Sequence, residues 1–147
     1  MYRVENKWKP PRSPIGMLQE DMWPDEWKIL VVCSLHNQTS RKQVDKVYEE
    51  LFETYPNPTA MSTAVHEELV QIIRPLGFYN RRARALVRMS KDFLKKDWKR
   101  ASELYGCGKY ADDCYRVFCT GEWQAVEPTD HALNDYVDWL KEESTVA

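Results

Sequence analysis

Apolar residues in this chain recur at steps of three and four, with no sustained alternation of two, so the pattern predicts an all-α protein. Val44, Val47, Tyr48, Leu51, Phe52 and Tyr55 line one side of a continuous amphipathic helix over 41–55. The stretch from Trp27 to Leu35 is apolar nearly all round and gives way to His36-Asn37-Gln38, which predicts a buried central helix ending at a polar loop. Further helices are predicted around Val65, Leu69, Ile72 and Ile73, around Ala83, Leu86, Val87, Phe93 and Leu94, and around Leu133, Tyr136, Val137 and Leu140. Pro56 and Pro58, Pro75 and Gly77, and Gly121 and Pro128 punctuate the connections. The prolines of Lys9-Pro10-Pro11-Arg12-Ser13-Pro14 predict an extended arm over 1–12 and a first helix beginning near Ser13 or Pro14. Short connections imply a compact bundle wrapped around the Trp27–Leu35 helix.

At 147 residues the chain has the size of one domain with a self-sufficient core, and 1–147 is read as a single unit. No apolar run approaches the ~20 residues of a membrane span, so no membrane association is expected. Cys33, Cys107, Cys114 and Cys119 lack the dense spacing of a disulfide framework and no secretory leader precedes them, which points to a reduced, intracellular protein. His36, His66 and His131 have no ligand spacing between them, so neither metal nor cofactor is expected; His131 reads as a hydrogen-bonded structural side chain. The net charge of −2 argues against indiscriminate coating of nucleic acid. Its distribution is uneven, however: between Arg81 and Arg100 there are nine Lys/Arg against Asp92 and Asp97. That surplus serves either to face phosphates or as a solvated helix face.

Leu104-Tyr105-Gly106-Cys107-Gly108-Lys109-Tyr110 has the form L-x-G-x-G between two helical patterns. Gly106 and Gly108 permit a tight turn and a close backbone approach. The free N–H groups opening the second helix, with its dipole, suit a phosphate oxygen. A tight interhelical turn has other uses, and the hairpin alone decides nothing. Beyond it, Pro128-Thr129-Asp130-His131 places Asp130 at the mouth of the last helix. An aspartate there is ordinarily an N-cap, and a carboxylate held that way also suits an oxocarbenium-like transition state.

The hairpin, the carboxylate beyond it, and the segments K-W-x-P-P-R-S-P, Leu18-Gln19-Glu20, Asn37-x-Thr39-Ser40, Pro75-Leu76-Gly77-Phe78-Tyr79, Gly108-Lys109-Tyr110 and Asp130-His131 together resemble the glycosylase domain of the methyl-CpG-binding-domain mismatch glycosylases. The resemblance runs from about Trp8 to Leu140 and implies the helix-hairpin-helix DNA glycosylase fold. It implies removal of thymine or uracil opposite guanine from double-stranded DNA, in base excision repair, by a nuclear and monomeric enzyme. Asp130 matches the catalytic aspartate of the family. Leu18, Gln19 and Tyr110 would form the pocket for the flipped base, and Asn37, Gln38, Leu76, Gly77 and Phe78 would fill the duplex and meet the orphan base. Gly106, Gly108 and Lys109 would bind the backbone phosphate. Bifunctional relatives carry a Schiff-base lysine where Tyr110 stands, so a monofunctional hydrolase without lyase activity is implied.

The chain also departs from the family. Gln38 stands where an arginine is usual, Phe78 replaces a leucine and Ala132 a lysine, and two lost cations imply weaker, less salt-sensitive DNA binding. No cysteine follows Asp130, whereas some relatives hold an iron–sulfur cluster there. No methyl-CpG-binding domain is recognised, which fits either an excised catalytic domain or a free-standing enzyme. Two rival readings remain beside the mismatch enzyme: a DNA-binding module that kept the fold and lost catalysis, and a sibling glycosylase acting on a modified pyrimidine.

Overall fold

A computed structural model describes residues 8–146. The elements run in the order α1 (Leu18–Met22), α2 (Glu26–Leu35), α3 (Arg41–Asp45), α4 (Tyr48–Thr54), α5 (Pro58–Ser62), α6 (His66–Ile73), α7 (Tyr79–Lys95), α8 (Lys109–Tyr115) and α9 (His131–Val146). Short 3-10 turns cover Arg74–Leu76, Ala101–Glu103 and Trp123–Ala125, and a π-helical turn over Arg116–Thr120 continues α8. No strand occurs among the described residues. No helix of the described residues is long and apolar enough to cross a membrane.

The centre is α2, as its composition predicts. Trp27, Ile29, Leu30, Val31 and Val32 are wholly buried, and α1, α7 and α8 pack around them. Asp25 starts the helix by accepting from the Lys28 amide at 2.9 Å. The indole N–H of Trp27, which has no water to turn to, donates to Ser90 Oγ at 2.9 Å, and that hydroxyl donates to the Leu86 carbonyl at 2.8 Å. Trp27 also meets the Phe52 ring edge-on at 5.7 Å.

Three sequence expectations need correction. The helix expected over 41–55 is two helices, parted at Lys46 and Val47. Their amides bond back three residues, to Gln43 and Val44, and Val47 leaves helical geometry at φ −122°. Val44, Val47 and Leu51 are buried on both sides of the break; periodicity reports which side faces the core, and backbone continuity is a separate matter. The first helix begins at Leu18 instead of near Ser13. Residues 13–17 fold over the buried Glu20 carboxylate, which accepts from the Ser13 amide, the Ser13 hydroxyl and the Met17 amide at 2.7–2.8 Å, and Gly16 turns there at φ +68°. Pro58, read as a connector, is the first residue of α5, behind an Asn57 cap that accepts from the Ala60 amide at 2.8 Å.

Of the arm expected over 1–12, residues 1–7 lie outside the described residues; 8–12 carry no regular structure. Trp8 donates to the Val117 carbonyl at 2.9 Å, and Tyr136 of α9 donates to the Pro11 carbonyl at 2.6 Å. The Trp8 ring sits so close to Gly121 that a Cβ there would meet it at 2.9 Å. The arm thereby joins the π-helical turn to α9. Behind the hairpin, the buried carboxylate of Asp112 accepts from Arg100 and from the Ser102 amide. Burial disfavours its charge, but those hydrogen bonds prevail and hold its pKa below the ordinary 3.8.

Two outcomes are expected. Ser90→Ala strands the Trp27 indole N–H and lowers the unfolding free energy by about 1–3 kcal/mol, read by denaturant titration. Because the folded pKa of Asp112 is depressed, its contribution is present above pH 3.8 and is lost as pH falls through the folded value. The stability gap between wild type and Asp112→Asn should therefore narrow on acidification through that window, in unfolding curves taken from neutral pH downward.

Candidate active site

Four elements converge on an open cleft of about 600 Å3: α1, the loop after α2, the start of α8 and the entry to α9. Leu18, Gln19, Asn37, Gln38, Tyr110 and Asp130, chosen from sequence as pocket or duplex-facing residues, all line it. Gln19 is 1% exposed. Its amide nitrogen donates to Tyr110 Oη at 2.8 Å, with Cys33 Sγ at 3.4 Å and Cys114 Sγ at 3.9 Å below it. This engages the NH2 end of the carboxamide and leaves Oε1 without a donor among the described residues. Burial, reinforced by Cys114, Cys33 and Asp130, pushes the Tyr110 phenol far above its ordinary pKa against the opposing Gln19 bond. Burial raises the Cys114 thiol as well, so the phenol and this thiol are neutral at neutral pH. No disulfide joins the four cysteines.

Asp130 caps α9. Its Oδ2 accepts from the Leu133 amide at 3.0 Å and its carbonyl accepts from the Asn134 amide at 2.9 Å. One carboxylate oxygen is thus fixed, while the other has no protein donor among the described residues. His36, which the sequence singled out only for lacking ligand partners, lines the same cleft. Its Nδ1–H donates to the Val32 carbonyl at 2.8 Å. Burial lowers its pKa despite that bond and the nearby Asp130 carboxylate, which leaves a neutral imidazole beside Asp130 at neutral pH. Arg41 was also missed. It reaches the cleft rim from α3, donating to the Gly16 carbonyl at 2.9 Å and to Asp45 at 2.7 Å, and supplies a cation close to where Gln38 lacks one.

The outer face carries the hairpin and the loops expected to enter a duplex. Gly106 turns at φ +75°, and the Asp112 amide bonds the Gly108 carbonyl at 3.0 Å as α8 begins. A hollow of about 200 Å3 joins Asn37 and Gln38 to Arg81, Tyr105 and Gly106, so hairpin and loop share one surface. Phe78 is 59% exposed with the Arg81 guanidinium over its ring at 4.7 Å, and Arg88 lies over Tyr105 at 3.9 Å.

Four expected roles change. Leu76 is 5% exposed and belongs to the core, so the tip consists of Gly77 and Phe78. Lys109 does not stand free for a phosphate: its ammonium donates to Asp113 at 2.6 Å and to the Glu127 carbonyl at 2.9 Å, bracing the segment that leads to Asp130. His131 is a surface side chain, 94% exposed and 3.4 Å from Asp135, and not a structural one. Arg82, counted with the basic surplus, is buried. Among the described residues no group of His, Cys, Asp and Glu is placed to hold a metal ion.

Residues 31–142 match the family described as HhH-GPD superfamily base excision DNA repair protein. The chain is 42% identical over 137 residues to the methyl-CpG-binding domain protein 4-like protein of Arabidopsis thaliana, covering 93% of this chain and 31% of that protein. It is 37% identical over 93 residues to the thymine-DNA glycosylase of Aeropyrum pernix, covering 58% of this chain and 42% of that one. With the thymine/uracil-DNA glycosylase of Pyrobaculum aerophilum it shares 34% identity over 94 residues, covering 59% and 41%. The matched part is therefore less than half the length of each of these relatives. In fold the chain is similar to endonuclease III in a trapped covalent DNA intermediate, with a TM-score of 0.56 at 22% identity over 82% of this chain and 72% of that one. The match of the family model to most of the chain, with which the all-helical architecture agrees, makes this protein a member of the HhH-GPD superfamily of base excision DNA repair proteins.

Proposed function

We propose that this chain is a monofunctional DNA glycosylase that hydrolyses the N-glycosidic bond of thymine or uracil mispaired with guanine, after the nucleotide has been turned out of the duplex. The observation that carries the reading is the convergence of Gln19, Tyr110 and the capped Asp130 on one cleft. With its NH2 end engaged by Tyr110, Gln19 offers Oε1 as an acceptor. Thymine and uracil present an N3–H donor to such an acceptor; cytosine presents a bare N3 and is rejected. The neutral phenol shapes the same wall and keeps the amide in that orientation.

In the chemical step the C1′–N1 bond breaks, its electron pair leaves with the base, and positive charge spreads over C1′ and the ring oxygen of the sugar. Asp130 stabilises that charge, because one of its oxygens is anchored by the α9 amide while the other remains available. Water then adds its oxygen to C1′ and gives up a proton, which balances the protonation of the departing base and leaves an abasic site. The same geometry supports the monofunctional reading. A Schiff base needs a free amine, whereas Tyr110 is a phenol and the Lys109 ammonium is engaged by Asp113 and Glu127. Flipping the base leaves a gap that costs a few kcal/mol, and the exposed Asn37, Gln38 and Phe78 have the position and bulk to fill it. Duplex DNA with a mismatched pyrimidine in the nucleus, bound by a monomer, is the setting this reading assigns.

Duplexes holding G:T, G:U or A:U, and single strands holding U, should be incubated and then treated with alkali. Strand breaks at G:T and G:U are expected; their absence refutes mismatch excision and leaves a DNA-binding module or a glycosylase for a modified pyrimidine, which 5-substituted uracils in the same duplex tell apart. Asp130→Asn should keep the affinity for duplex DNA while single-turnover excision falls by roughly 10²–10³ or more, the scale of losing one transition-state electrostatic partner. Wild type should give no borohydride-trapped adduct with DNA, whereas Tyr110→Lys, which introduces an unpaired amine beside the sugar, should give a detectable one on denaturing gels.

A further inference from the structure

We propose that Arg82 is a positioning residue that locks the two duplex-entering loops into one preformed wedge, an inference that rests on the glycosylase reading above. Arg82 lies in the first turns of α7 with 8% of its surface exposed. Its guanidinium donates from Nε to the Gly77 carbonyl at 2.8 Å, from Nη2 to the Asn37 carbonyl at 2.8 Å, and from Nη1 towards the Ser34 carbonyl at 3.5 Å. No carboxylate pairs with it among the described residues. One side chain thereby ties the loop after α2 to the loop before α7, elements separated by about forty residues of chain.

The two closest carbonyls belong to the residues immediately before Gln38 and Phe78. Those two, with Lys96, are the non-glycine residues of positive φ among the described residues, at +60° for Gln38 and +47° for Phe78. The left-handed region is costly for side chains of this size and persists only where surroundings over-determine it. Rotation about φ of a residue turns the peptide plane that precedes it, and Arg82 holds that plane at both positions. The fork of a guanidinium can serve two carbonyls in fixed directions, which a single ammonium does not. Burial and the neighbouring Arg81 lower its pKa, but arginine remains charged in proteins, so the fork stays intact across the working pH range. Its cost is desolvation of a cation; its return is two exposed tips, Gln38 and Phe78, presented together in one geometry without an entropy loss at the moment of DNA entry.

The test compares wild type with Arg82→Met and Arg82→Lys. Amide exchange is read at Thr39 and Gly77, which bond within their own loops to His36 and Arg74. In Arg82→Met both should exchange faster together, by roughly tenfold, the equivalent of one charge-assisted hydrogen bond. Acceleration in one loop only, or in neither, overturns the coupling. The second readout is the ratio of affinities for a duplex with a tetrahydrofuran abasic analogue opposite guanine and for the intact duplex. That ratio should fall roughly tenfold while intact-duplex affinity holds, a selective loss that general destabilisation would not produce. An unchanged ratio in Arg82→Met, or full rescue by Arg82→Lys, overturns the role of the fork. Should Arg82→Met fail to fold, Arg82→Lys carries both measurements with the charge retained and is then expected to show both losses. A wild type that excises no base sinks the glycosylase reading but leaves amide exchange to decide the clamp; one without abasic preference overturns the wedge itself.

Discussion

A helix with no polar side is stable only where every side is covered, and α2 imposes that requirement on the rest of the molecule. Its wholly buried residues force α1, α7 and α8 into contact around it. Because α1 and α8 share α2 as a support, Gln19 and Tyr110, distant in the chain, meet above Cys33 on α2 itself. Where α2 ends, the chain must return to water, and His36, Asn37 and Gln38 emerge at that point beside the cleft. The site is thus a by-product of covering one apolar cylinder, with its polar rim where the cylinder stops.

The second constraint is that each polar group drawn inside by this packing must find a partner. Glu20 takes three donors from the segment before α1, Asp112 takes Arg100 and Ser102, Asp113 takes Lys109, and Arg82 takes backbone carbonyls. These pairings connect segments far apart in sequence and give the loops around the cleft defined positions. Burial also keeps the Tyr110 phenol, the Cys114 thiol and the His36 imidazole neutral at neutral pH. The anion lining the cleft is then Asp130, anchored by a helix amide, with Arg41 at the rim. A half-buried carboxylate acts on a developing positive charge more strongly than it would in bulk water.

Periodicity and local chemistry determined the helical class, the buried α2, the capping of α9 by Asp130 and the turn at Gly106, because each rests on residues within a few positions of one another. The spaced motifs also determined the family, since several separated segments agreed. What periodicity could not determine was continuity: Val44 and Leu51 face the core whether or not the backbone breaks at Val47 between them. Nor could composition tell a buried cation from a solvated one. Arg82 and Arg81 are adjacent in a basic run, yet one holds two loops and the other covers the Phe78 ring. Leu76 was misread for the same reason, because its burial is set by elements remote in sequence, and Lys109 because the Glu127 carbonyl reaches it from beyond α8 in addition to its i,i+4 partner Asp113. Local pattern carries the energetics of a single turn or helix. Whether a side chain that can bind a phosphate or a base is free to do so depends on which distant carbonyl or carboxylate reaches it first, and that was decided only when the helices closed around α2.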